Sequence, residues 1–100
     1  LESQLLAAIR KNQIPIQYLI FSPIHDKIWG QRLIALFKWE IELTENEQQK
    51  QLTHIDKLLK TWLPYERPLT WYKCPELSPN SAGKWERSKW KQWLEINIRK

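Results

Sequence analysis

Ile16-Gln17-Tyr18-Leu19-Ile20-Phe21, bounded by Pro15 and Pro23, is the stretch that decides the fold class. Its β-branched and aromatic residues suit a pleated strand better than a helix, where their χ1 freedom is lost. Pro15 lacks an amide hydrogen and pushes Ile14 toward extended backbone, so no helix runs into the segment. The near-continuous apolarity predicts burial on both faces, and hence a central strand position. A small sheet covered by helices is the economical way to bury such faces.

Outward from this strand, Leu5, Leu6 and Ile9 share one face at helical spacing, which predicts a helix over 2–12. On the other side, residues 23–30 read as a loop with His25-Asp26 at its polar tip. Lys38 to Leu43 alternates, with Trp39, Ile41 and Leu43 against Lys38, Glu40 and Glu42, and so predicts a second strand. Gln31–Phe37 fits either strand or helix. Thr44-Glu45-Asn46-Glu47 matches a capping box that opens a helix reaching about Trp62, where Pro64 stops it. Leu52, Ile55, Leu59 and Trp62 form its seam, with Leu58 and Leu63 alongside. Four of the six prolines fall in 64–83, a long connection with room for a strand at Leu69–Lys73. Ser81 or Ser88 then caps a last helix to about Ile98, carrying Trp90, Trp93 and Leu94. The expected fold is α+β: a mostly antiparallel sheet of two or three strands with about three helices, in the order α-β-β-α-(β)-α.

With 42% hydrophobic and 27% charged residues, the chain has the composition of an ordinary globular domain. We expect one domain over 1–100 and, because the chain opens on Leu1, a fragment of a longer protein. Cys74 is the lone cysteine, so no intrachain disulfide can form, and a reducing, cytoplasmic setting is expected. The sequence has no apolar run near the ~20 residues a membrane span requires. The formal charge of +5 is uneven: 83–100 carries +4, whereas 38–56 carries −3.

Catalytic constellations are sparse. One cysteine and two histidines fall short of the four ligands of a structural zinc site. Cys74 lies in an apolar neighbourhood beside Trp71, Tyr72 and Pro75, as cysteines that act as small hydrophobes do. His25-Asp26 offers a base, but a turn aspartate beside a solvated histidine explains the pair equally well. Glu40 and Glu42 on one strand face superficially suggest a metal-dependent nuclease, but no lysine follows them at alternating spacing, and a solvated strand face explains them better. Gly30 and Gly83 are the only glycines, too few for a P-loop or a dinucleotide fingerprint. No catalytic residue, metal or cofactor is therefore expected.

What remains is Gly83-Lys84-Trp85-Glu86-Arg87-Ser88-Lys89-Trp90-Lys91-Gln92-Trp93, cations interleaved with indoles. An amphipathic helix covering its own core is one account of it. Seven tryptophans are nonetheless more aromatic area than so small a core readily hides. The expected function is a non-enzymatic interaction domain that docks a protein partner, or a second copy, through Trp29, Trp71 and Trp85 with Lys84, Arg87, Lys89, Lys91 and Arg99. The alternative is a nucleic-acid-binding domain using 84–100, with Trp85 as a stacking platform and Lys100 added to the cations.

Overall fold

The structure, a computed structural model, describes residues 2–26, 28 and 30–98. Helix α1 (Glu2–Lys11) leads into β1 (Ile16–Asp26) and β2 (Gly30–Trp39), an antiparallel hairpin in register from Ile16↔Trp39 to Asp26↔Gly30. Helix α2 (Glu45–Leu58), continued by a 3-10 turn to Thr61, carries the chain to β3 (Pro68–Lys73). Strand β3 pairs with β2 in parallel, from Leu33↔Pro68 to Phe37↔Lys73. Helix α3 (Arg87–Ile98) closes the fold. The protein is thus α+β, with three helices and a three-stranded mixed sheet in the order α-β-β-α-β-α.

The sheet is buried on both faces. Leu19, Phe21, Ala35 and Phe37 pack on one side with Leu5 and Ile9 of α1 and Ile55 and Leu59 at the end of α2. Ile20, Ile34 and Leu36 pack on the other with Cys74, Leu77, and Trp90 and Leu94 of α3. Alternation along each strand sends odd and even residues to opposite sides, so β3 gives Trp71 to the first cluster and Tyr72 to the second.

Several expectations are corrected. The 16–21 run is buried on both faces as predicted, yet β1 lies at the edge of the sheet; β2 is central, with Ile34 through Phe37 all buried. An edge position is what lets Pro23 sit inside β1, because an outward-facing amide is dispensable there. His25 and Asp26 belong to the end of that strand, not to a loop tip. The ambiguous Gln31–Phe37 is strand, whereas the alternating 38–43 pattern leaves the sheet after Trp39. The Glu40 amide still reaches the Pro15 carbonyl at 2.8 Å, but beyond it the chain turns away and Ile41 is exposed. Glu40 and Glu42 therefore share no strand face, and the geometry that suggested a nuclease is gone. The sheet is also mixed, one antiparallel and one parallel pairing, because α2 returns the chain to the same end of β2.

Local signals explain the helices. Thr44 accepts from the Glu47 amide at 3.2 Å while the Glu47 carboxylate accepts from the Thr44 amide at 3.1 Å, the reciprocal capping box. At the far end the Arg67 guanidinium donates to the carbonyls of Trp62 (2.7 and 3.0 Å) and Lys60 (3.0 Å), which the helix end leaves open. Leu63, expected beside the seam, is exposed instead.

Trp90 is 2% exposed and its indole N–H is without an acceptor among the described residues, so it serves as volume. Its replacement in Trp90→Ala is expected to lower unfolding free energy by about 3–5 kcal/mol. Ile96→Ala on the exposed side of the same helix should stay within about 0.5 kcal/mol. Chemical denaturation of both variants checks the contrast.

Candidate functional site

Between β3 and α3 the chain builds a short loop around one asparagine. The Asn80 Oδ1 accepts from the amides of Ala82 and Lys84, each at 3.0 Å. Its own amide donates to the Lys84 carbonyl at 2.8 Å, and its carbonyl accepts from Gly83 at 2.9 Å. Both backbone groups of Lys84 are therefore held by Asn80. Gly83 closes the turn at φ +78°, a left-handed conformation that costs a side-chain-bearing residue energy.

The loop is tied down at both ends. On the entry side Cys74 and Leu77 are fully buried, and the Cys74 amide donates to the Phe37 carbonyl of β2 at 2.8 Å. Burial pushes the Cys74 thiol above its usual pKa, which makes it a packing group and a poor nucleophile. On the exit side the half-buried Trp85 meets the Tyr18 ring edge-on at 5.5 Å. Arg87 then forms a bidentate pair with Glu2, 2.9 Å at both contacts. The same junction takes in β1: Glu2 accepts from the Phe21 amide at 2.8 Å and Arg87 donates to the Phe21 carbonyl at 3.3 Å. Burial opposes ionisation of Glu2, but the Arg87 and Phe21 hydrogen bonds and the Arg87 charge together outweigh it and hold the carboxyl below its ordinary range.

Lys84 stands apart at the tip of this scaffold. It is exposed, and among the described residues its ammonium makes no ion pair. A fixed backbone with a free cation is suited to meet an anion brought by another surface.

The other residues expected at a binding surface fall elsewhere. Trp71 lies on the opposite face of the sheet, half-buried, with its ring 5.7 Å from that of Phe37. Lys89 sits over the Trp90 ring at 4.9 Å. Lys91 joins Arg87, Ser88 and Ser22 around a hollow of about 300 Å³ between β1 and α3. Trp29, Arg99 and Lys100 lie outside the described residues. None of the six described tryptophans is strongly exposed, so Trp71 and Trp85 are not the protruding anchors expected of them; small as the core is, it uses their rings. Asn80 and Glu2 were missed: Asn80-Ser81-Ala82-Gly83 carried a turn signal, but nothing local marked Glu2 as a partner of Arg87. No group of three His, Cys, Asp or Glu side chains among the described residues is placed to hold a metal ion.

In sequence, no protein family matches the chain and no curated protein is significantly similar to it. In structure it is similar to one small part of much larger ligases. An acyl-CoA synthetase (AMP-forming)/AMP-acid ligase II-like protein from Dyadobacter fermentans superposes with a TM-score of 0.66 and 17% identity, over 92% of this chain and 25% of that one. The o-succinylbenzoate-CoA synthetase MenE from Bacillus subtilis, bound with its product analogue OSB-NCoA, gives 0.59 and 21% over 91% and 17%. The amide bond synthetase McbA from Marinactinospora thermotolerans gives 0.64 and 14% over 87% and 17%. The chain spans a quarter or less of these proteins' lengths. This likeness overturns the expectation of a non-enzymatic docking domain and its nucleic-acid alternative, because about nine-tenths of the chain superposes on part of proteins named as synthetases or ligase-like.

Two expected outcomes follow from the loop and its junction. Asn80→Ala removes the acceptor for two amides, so the Ala82 and Lys84 amides should exchange hydrogen faster in Asn80→Ala while core amides keep their protection. Because the Glu2 pKa is depressed by folding, the stability it adds is present above the ordinary carboxylate value and is lost as pH falls through the folded value. Glu2→Gln should therefore melt below the parent at neutral pH and converge with it in acid, as thermal scans across that range would show.

Proposed function

We propose that this chain is the small part of an AMP-forming carboxylic-acid ligase and delivers Lys84 to anionic reactants held by a larger part of the same enzyme. The observation that carries the reading is the recurrence of about nine-tenths of this chain, in one architecture, within three ligases whose names specify acid–CoA or amide bond formation. The loop geometry supplies the chemistry. In AMP-forming ligation a carboxylate oxygen bonds to the α-phosphorus of ATP as pyrophosphate leaves, and a thiol or amine then displaces AMP from the acyl carbon. Two anions must approach, and negative charge is redistributed over phosphate oxygens as they do. A cation placed in advance beside those oxygens lowers the barrier, because nothing has to reorganise when the charge develops. Lys84, held by its backbone and with no ion pair at its ammonium among the described residues, is the group of this chain fitted to that task.

The partner implied is the remainder of the ligase, and the substrates are ATP, a carboxylic acid and a thiol or amine acceptor. These substrates put the site of action in the cytoplasm. No helix among the described residues is long and apolar enough to cross a membrane.

The test is acid-dependent AMP release by the full-length protein with ATP, CoA and a panel of carboxylic acids. Lys84→Ala is expected to lower kcat by about 10²–10³, the usual cost of removing one preorganised donor. Its melting temperature should be unchanged, since the side chain is exposed. An absence of acid-dependent AMP release across the panel, or full turnover by Lys84→Ala, would defeat the reading.

A further inference from the structure

Helix α3 begins with Arg87 and carries no acidic residue in its first turn, which puts a cation where the helix macrodipole is already positive. Glu86 stands just before it, but the carboxylate that pairs with Arg87 comes from the other end of the chain. Glu2 meets both terminal guanidinium nitrogens of Arg87, Nη1 and Nη2, at 2.9 Å, and the pair grips the outward-facing amide and carbonyl of Phe21 on edge strand β1. Four hydrogen bonds thus join α1, β1 and the start of α3 at one point. Arg87 follows Lys84 by three residues, so this junction lies at the exit of the Lys84 loop.

We infer that Glu2 and Arg87 are positioning residues, whose bidentate pair on the Phe21 backbone fixes the direction in which the loop presents Lys84. The inference rests on the ligase reading above and adds to it. The entry side of the loop is anchored by apolar burial, which resists displacement but is non-directional. A planar guanidinium against a carboxylate is directional, since two parallel hydrogen bonds form only in one relative orientation. Swinging the start of α3 by an ångström would break both and would carry Lys84 with it. The Arg87 side chain is 54% exposed and Glu2 26%, so either can be replaced without opening the core. The pair also occupies the Phe21 backbone groups at which β1 would otherwise present an open edge.

The experiment uses the full-length protein with Glu2→Gln, Arg87→Lys and the double variant, alongside Lys84→Ala. Arg87→Lys keeps the charge and loses the fork; Glu2→Gln keeps the shape and loses the charge. Each single variant should lower kcat for AMP release roughly ten- to a hundredfold, in line with a misplacement of about 1 Å, while KM for ATP and for the acid stays within about twofold. The double variant should be no worse than the poorer single one, as expected for residues that act as a unit. Hydrogen exchange at the Lys84 amide should quicken in all three. A lower melting temperature with unchanged kcat and unchanged Lys84 exchange would mean that the pair only stabilises the fold, and the inference would be overturned. Full kcat in the pair variants with a collapsed Lys84→Ala defeats the positioning role alone and leaves the ligase reading standing. Wild-type turnover in Lys84→Ala defeats that reading, and the inference falls with it.

Discussion

Four consecutive residues of β2, Ile34 through Phe37, are all buried, and the rest of the molecule is arranged to make that possible. A strand enclosed on both faces needs a layer on each side, and a chain of this length has three helices to provide them. Helices α1 and α2 share one face. Helix α3 is left to cover the other with help from Cys74 and Leu77 in the preceding connection. One helix is a narrow cover for three strands. The shortage is met with side-chain bulk: Trp90 fills the centre, and Trp85, Trp93, Tyr18 and Tyr72 widen the layer around it. On the two-helix face Trp39, Trp62 and Trp71 do the same at the margins. The wealth of indoles is covering material for a sheet with too few helices, a use that composition cannot distinguish from a docking surface.

The same constraint separates what was legible in the sequence from what was not. Signals that act within a turn or two came through: the Thr44–Glu47 box, the proline boundaries, and the helical stripe of Leu5 and Ile9. The strand at Leu69–Lys73 was visible from its bounding prolines. Strand order was not, because both-face burial at Ile16–Phe21 marks a covered strand and says nothing about its neighbours. Gln31–Phe37 was ambiguous for a related reason, since a strand with no solvent face has lost the alternation that would identify it. Lys38–Leu43 has the alternation without the partner. Beyond Trp39 there is no adjacent strand to pair with, and pattern without pairing does not make a sheet.

The site followed the same rule at finer scale. Lys84 and Arg87 were legible as cations beside tryptophans, but they were two among five equivalent cations, with Lys89, Lys91 and Arg99. What separates them is the contact each makes, distant in sequence for Arg87 and four residues away for Lys84. Arg87 is distinguished by Glu2, at the opposite end of the chain, and Lys84 by an asparagine whose side chain and backbone hold both of its peptide groups. Lys89 and Lys91, drawn from the same basic run, lie on the body of α3. Their helix positions tie them to no loop, and one of them is already spent on an indole ring.

On the proposed reading, rigidity in the right place also explains how so small a unit could serve a larger ligase. A lysine on a floppy loop would lose most of its electrostatic value to the entropy of finding its target, and a buried lysine would lose its charge. Lys84 avoids both, with an ordered backbone and a solvated ammonium whose stem retains enough freedom to meet a phosphate or carboxylate brought by another surface. In the proposed ligase the anions are bound by the larger part, and this chain contributes orientation. The sheet, its two covers and the Glu2–Arg87 junction form a rigid handle, and what they aim is a single positive charge.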